Sequence, residues 1–331
     1  LVPTVLSLAG IEIPKSVDGK PFLGKKIKRF ELEKQNTTFG YADRFDEKYD
    51  LVRSIRVGKY KYIRNYQPFN IDGLYNFYRY KMLAYIEWYN LFIDGKLNEV
   101  QSQFFRPRKP EGLYNIDEDP HETNNLVNDI SYNETLLDLR SKLNDHLISI
   151  NDLSFLPEPH LLENGLNDIV GYSEKNKDLI KKLIEISDLQ LYDYNEVSSQ
   201  IKDALTDNNP WVRYWGLIVC STFGNQALEN KDKISFIFEN DPENLVRMRA
   251  AEFLILNNFD ISDSKINSLL KNSNFEAETN LMLNTLANVK TINPSYKLNL
   301  RKEVFPKNWF PPLRNENALV NRRMNLLTES E

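Results

Sequence analysis

The chain has 331 residues, 41% of them hydrophobic and 27% charged, a composition normal for a globular protein with material for two cores. Its 42 Lys and Arg against 47 Asp and Glu leave a net charge of −5, which supplies no general attraction to nucleic acid or to an anionic membrane. One cysteine, Cys220, and three histidines, His121, His146 and His160, exclude a disulfide framework and argue against a zinc site built from this chain alone, and no apolar run reaches the roughly 18 residues of a membrane span.

The chain opens at Leu1-Val2-Pro3-Thr4, already inside an apolar segment, and reads as a C-terminal piece of something longer. Residues 1–10 predict a short helix with Pro3 in its first turn and Gly10 as its glycine cap. Asp18-Gly19 is a turn signal and Gly24 begins a polar stretch. Asp43-Arg44-Phe45-Asp46-Glu47 reads as a dense charged loop before a β-hairpin over 51–65, with Gly58 between its arms. Tyr75, Tyr78, Met82, Tyr85, Tyr89 and Phe92 step by three and four, which predicts a helix over 74–94, buried on more than one side and closed by Gly95. Leu113–Ile116 is a short strand candidate. Ser131 and Glu134 read as a capping box for a helix that presents Leu136, Leu139, Leu143 and Leu147 on one face, and Pro157 and Pro159 end this half.

From about 175 to 290 only helical periodicity remains. Residues 207–224 and 240–258 look alike: each has a proline turn, then a Val-Arg pair (Val212-Arg213 and Val246-Arg247), then an apolar helix. A weaker third copy begins near Asn274. Helix pairs repeated at this interval are the signature of a HEAT-like solenoid. The expected organisation is an α+β unit over 1–155, connecting helices over 156–200, HEAT-like repeats over 201–300 and a tail over 301–331.

Three stretches resemble one family. LVPTVLSLAGIEIP with DGKPFLG (1–24), ADRFDEKYDLVRSIRVGKYKYIRNYQP (42–68) and GKLNEVQSQFFRPRKPEGLYNIDEDPHETNNL (95–126) are similar, in that order, to segments of formylglycine-dependent sulfatases. In the last, Leu113, Tyr114, Asp119, Pro120, Glu122, Asn125 and Leu126 fall at the family spacing, with Gly112 where a Glu and Asn115 where an Asp is usual. The resemblance implies hydrolysis of sulfate esters on an alkaline-phosphatase-like fold. It also implies a formylglycine made from Cys or Ser in a C/S-x-P-x-R motif, and a Ca²⁺ held by Asp and Asn. That machinery would lie in a missing N-terminal domain. This chain would be the smaller C-terminal subdomain, a short antiparallel sheet with packed helices, followed by the HEAT-like extension that a subset of the family carries. A sulfated carbohydrate substrate, a bacterial source and a periplasmic or secreted location follow from family habit.

On that footing no catalytic residue and no metal ligand is expected in this chain. Substrate contact would come from Asp43, Arg44 and Asp46, the arginine forking onto a sulfate or carboxylate and the aspartates accepting sugar hydroxyls, and from Asn65 and Tyr66 at the end of the hairpin. The plainer alternatives are a self-paired solvated loop and a strand-ending turn. At least one of Arg53 and Arg56 is expected to reach the absent domain. The aromatic stripe and Cys220 read as core, Arg106-Pro107-Arg108-Lys109 as a solvated connector, and His121 as part of a structural turn. Truncation should leave an apolar patch prone to self-association. The rival reading is an α-solenoid scaffold binding a protein partner, with a non-catalytic sulfatase-like remnant; a phosphatase of the same superfold is a third.

Overall fold

The computed structural model describes residues 1–33, 36–273, 275–301 and 319–328. At the N-terminus α1 (Val2–Ala9) has Pro3 in its first turn. It closes as expected on Gly10, whose φ of 72° lets the Ile11 N–H donate to the Leu6 carbonyl at 2.9 Å. The short α2 (Arg29–Glu33) follows. This arm is tied to itself by the Phe22 N–H, which donates to Thr4 Oγ1 at 3.2 Å, and gives no side chain to the main core, which starts at Tyr49.

Four antiparallel strands form one sheet in chain order: β1 (Thr37–Phe45), β2 (Lys48–Val57), β3 (Tyr60–Asn65) and β4 (Glu111–Asn115). The predicted hairpin is β2–β3, with Gly58 at φ 57° in its turn. β1 is the departure. Residues 43–45, read as loop, are the end of a strand, and only Asp46-Glu47 make the turn, Asp46 at φ 50°. β1 is an edge strand with almost no buried side chain, so it lacks the period-two apolar alternation that marks a half-buried strand. β2 does alternate, sending Tyr49, Leu51, Arg53 and Ile55 inward.

The β3–β4 connection carries α3 (Leu83–Ile93) and α4 (Glu99–Ser102), the latter opened by an Asn98–Gln101 capping box. The helix expected over 74–94 therefore begins only at Leu83, after a 3₁₀ turn at Arg79–Lys81, and none of its residues is buried. Its rings pack sideways on a local aromatic cluster instead of the main core, with Trp88 stacked on Phe104 at 4.5 Å and Phe92 on Phe105 at 4.9 Å. Gly95, at φ 67°, ends α3 as expected, the next N–H donating to the Leu91 carbonyl at 2.9 Å.

Among the described residues ten helices follow β4: α5 (Asn133–Ser149), α6 (Glu158–Asn164), α7 (Ile169–Lys175), α8 (Lys177–Ser187), α9 (Tyr194–Thr206), α10 (Pro210–Phe223), α11 (Lys231–Asn240), α12 (Asn244–Leu256), α13 (Asp263–Lys271) and α14 (Glu276–Ile292). An additional helix, α15 (Leu319–Thr328), packs on α14. α5 buries Leu136, Leu139, Leu143 and Leu147 and packs on β2 and β3. No capping box opens it: the Ser131 hydroxyl and N–H both donate to Asp129 Oδ1, at 2.6 and 2.9 Å, within a preceding 3₁₀ turn. Pro157 precedes α6 and Pro159 sits in its first turn, where its missing N–H costs nothing.

α10 packs on α8, α9 and α12, and α12 on α11 and α14. The two Val-Arg pairs occupy equivalent places, in the first turns of α10 and α12. Val212 and Val246 are fully buried. Arg213 forks onto Asp241 at 2.6 and 2.9 Å, and Arg247 Nε donates to the Phe238 carbonyl at 2.7 Å. Asn274, where the third copy was placed, lies outside the described residues, as do 302–318 and 329–331 of the tail. The hydrophobic core is continuous from Tyr49 in β2 to Leu327 in α15. Among the described residues no helix is long and apolar enough to cross a membrane.

Candidate functional site

The register of the sheet brings the expected contact residues to one end. Val52 of β2 lies opposite both Ala42 of β1 and Asn65 of β3, so Asp43, Arg44 and Asp46 extend the β1–β2 hairpin beyond the row in which β3 finishes. Each of them already has a partner. Asp43 accepts from Arg53 Nη1 at 2.6 Å and from Ser154 Oγ at 3.2 Å. Arg44 pairs with Glu158 at 3.1 Å and donates to the Asp46 carbonyl at 3.2 Å. Asp46 and Glu47 lie 3.7 and 3.6 Å from Arg322. Asn65 Nδ2 donates to the Lys109 carbonyl at 2.8 Å. Tyr66 is only 2% exposed. Its ring meets Phe155 and Trp215 edge-on at 4.9 and 6.2 Å, so it supports this end from beneath instead of facing outward.

Of the two arginines of β2, Arg53 does not reach outward: it is buried and forks onto Asp152 with Nε–Oδ2 2.7 Å and Nη2–Oδ1 3.2 Å while holding Asp43. Arg56 remains at the surface, donating to the Gly58 carbonyl at 2.9 Å. Arg108 is no solvated connector. It bridges Asp50 at 2.8 Å and Asp72 at 3.0 Å, and Lys48 joins Asp50 at 3.4 Å. Burial alone would raise the Asp50 carboxyl; the Arg108 and Lys48 charges outweigh it and hold the pKa at about 2.

The tip is locked from the far end of the chain. Arg323 of α15, fully buried, donates to the Glu47 carbonyl at 3.1 and 3.2 Å, to the Tyr75 carbonyl at 2.7 Å and to Asn284 Oδ1 of α14 at 2.8 Å. Asp152, Ser154, Glu158, Arg322 and Arg323 thus complete this region, and none was visible in the sequence. Their partners at the hairpin lie about a hundred residues or more away, and no local pattern marks them.

Among the described residues no group of three or more His, Cys, Asp or Glu side chains converges as a metal site. Cys220 is fully buried in α10, where burial pushes its thiol well above the ordinary value, and is a core residue as expected. The histidines are far apart in role: His146 stacks on Phe39 at 3.6 Å, and His160 shares a 2.7 Å hydrogen bond with Tyr172. These residues therefore do not fit a formylglycine nucleophile or a Ca²⁺ cage, and no bond-breaking step is assigned to them. The sheet end presents a half-exposed arginine and carboxylates, fixed by buried partners and chemically able to form charge-assisted hydrogen bonds.

No family model matches the chain. It is 37% identical over 169 residues to an ulvan-active sulfatase of Formosa agariphila, an alignment covering 50% of this chain and 28% of that protein. The chain thus spans well under two thirds of the relative it matches, and half of it is homologous to part of a sulfatase.

Proposed function

We propose that this chain is the C-terminal part of a formylglycine-dependent sulfatase acting on a sulfated carbohydrate. The 37% identity over 169 residues carries the reading. In it, an N-terminal domain holds the nucleophile and a Ca²⁺, and residues 1–155 form the subdomain that completes one wall of the substrate pocket. Asp43, Arg44, Asp46 and Asn65 face the sugar, and Tyr66 backs them. The connecting helices over 156–200 lead into a HEAT-like array over 201–300, which holds α10 to α14. The stacking of α10, α12 and α14 and the matched places of Val212-Arg213 and Val246-Arg247 support that array. The apolar face of α1, with Val5 and Leu8 each about three-fifths exposed, suits a surface that the N-terminal domain covers.

The test is peptide mapping by mass spectrometry of the native polypeptide that carries this chain, together with sulfate release from ulvan oligosaccharides. The reading expects a C/S-x-P-x-R peptide at the formylglycine mass, sulfate release by the native protein and none by this chain alone. A native polypeptide without that motif would overturn it in favour of a scaffold.

A further inference from the structure

We propose that the hairpin tip and the β3–β4 connection form an aromatic platform for an anionic oligosaccharide, gripping sugar rings beyond the unit held by the sheet end. The inference rests on the carbohydrate reading above and adds the surface that would select chain length. Phe45 closes β1 and is 49% exposed; Tyr78, 61% exposed, stands against it with ring centroids 6.3 Å apart at 83°. The two rings make an open corner. It is held still by buried groups: Asn76, fully buried, donates to the Phe45 carbonyl at 2.8 Å and accepts from the Arg79 N–H at 2.9 Å. The Phe77 N–H donates to Glu47 Oε1 at 2.6 Å. Two large rings left in water on a rigid frame are a prepared contact surface, because no ordering cost remains to be met on binding.

The charges around the corner choose the occupant. The Arg79 guanidinium lies 6.0 Å from the Phe45 ring, and the Lys81 ammonium 4.2 Å from the centre of the Phe77 ring. Arg79 donates to the Asp72 carbonyl at 2.7 Å, and neither cation has a carboxylate within salt-bridge distance among the described residues. A pyranose offers axial C–H bonds to the negative face of an aromatic ring, and its sulfate or carboxylate groups would take the two cations. An apolar protein surface would instead bury both cations without a carboxylate or sulfate to meet them, which is unfavourable. Phe45 and Arg44 are consecutive at the end of β1 and point to opposite faces of the strand, so an oligosaccharide that wraps the hairpin tip from the sheet end meets the corner when it is long enough.

The experiment compares affinities of the native polypeptide for an ulvan disaccharide and an ulvan octasaccharide by isothermal titration calorimetry. Tyr78→Ala should reduce the preference for the longer chain about fivefold to tenfold, ~1–1.4 kcal/mol, and Tyr78→Phe should restore it. Lys81→Gln should flatten the salt dependence of octasaccharide binding. An unchanged preference in Tyr78→Ala, with the fold intact by circular dichroism, overturns the platform. So does protection of Tyr78 from hydroxyl-radical labelling in the ligand-free native protein, which would mean that another domain or a second copy covers it. Sulfate release followed in parallel separates the two readings. Length-dependent binding through Tyr78 without sulfate release keeps the platform and removes the sulfatase. Sulfate release with no effect of Tyr78→Ala does the reverse.

Discussion

The sheet-bearing region and the helical region treat their apolar side chains differently. Up to Val100 the surface carries Leu1, Val5, Leu8, Phe30, Tyr41, Tyr78, Leu83 and others exposed, whereas beyond Tyr192 Phe236 is the one large exposed apolar side chain among the described residues. Helices that stack on one another can satisfy their own apolar stripes, and α8 to α14 do so. An arm and an edge strand cannot, and their surface is of the kind that marks an interaction site. The regions are nonetheless joined by buried charge. Arg53 reaches Asp152, Arg64 the Ser187 carbonyl, and Arg249 of α12 reaches Gln67 of the β3–β4 connection at 3.0 Å.

The largest expected effect breaks that junction. Arg249, 3% exposed, also holds Glu252 at 2.9 and 3.0 Å and the Tyr214 hydroxyl at 2.8 Å. Arg249→Ala should cost about 3–5 kcal/mol in urea denaturation by stranding the Glu252 carboxylate, and Arg249→Met with Glu252→Leu should recover most of it. A loss below about 1 kcal/mol would mean that Arg249 adds little to the junction, leaving it to Arg53, Arg64 and apolar packing.

Next in size is Leu113→Ala in β4. That side chain is fully buried, and its truncation should cost about 2–5 kcal/mol. Asp50 gives a pH-dependent step. Its folded pKa of about 2 lies below the ordinary 3.8, so the stability it contributes is present above pH ~4 and is lost as pH falls from ~4 towards ~2. The amount is about 2 kcal/mol, and it should vanish from the acid arm of a pH-stability curve in Asp50→Asn. The smallest change belongs to the arm: Val5→Ser with Leu8→Ser should lower binding of the dye ANS while shifting stability by no more than about 0.5 kcal/mol. Unaltered dye binding would place the sticky surface elsewhere.

What the sequence made legible were elements whose own residues carry the pattern. The β2–β3 hairpin alternates, α5 repeats Leu136, Leu139, Leu143 and Leu147 on one face, and α1 and α3 each end on a glycine in the left-handed region. β1 was illegible because an edge strand exposed on both faces needs no alternation. The aromatic stripe was legible as a stripe but not in its destination, since spacing shows that rings share a face without showing what that face meets. Of the candidate site, the exposed charged residues could be named, but their buried partners could not. Arg53 and Asp152 are 99 residues apart, and Glu47 and Arg323 are 276 apart.

The reach of Arg323 has a consequence for gene truncation. A reading frame that stops before Leu319 would delete no residue of the sheet, yet it would remove the donor that the Glu47 and Tyr75 carbonyls and Asn284 Oδ1 share. With Arg323 gone, the hairpin tip loses its clamp, and with Val320, Met324 and Leu327 gone α14 loses the apolar cover of α15. A nonsense mutation there would loosen the hairpin tip from codons about 276 residues away in the sequence.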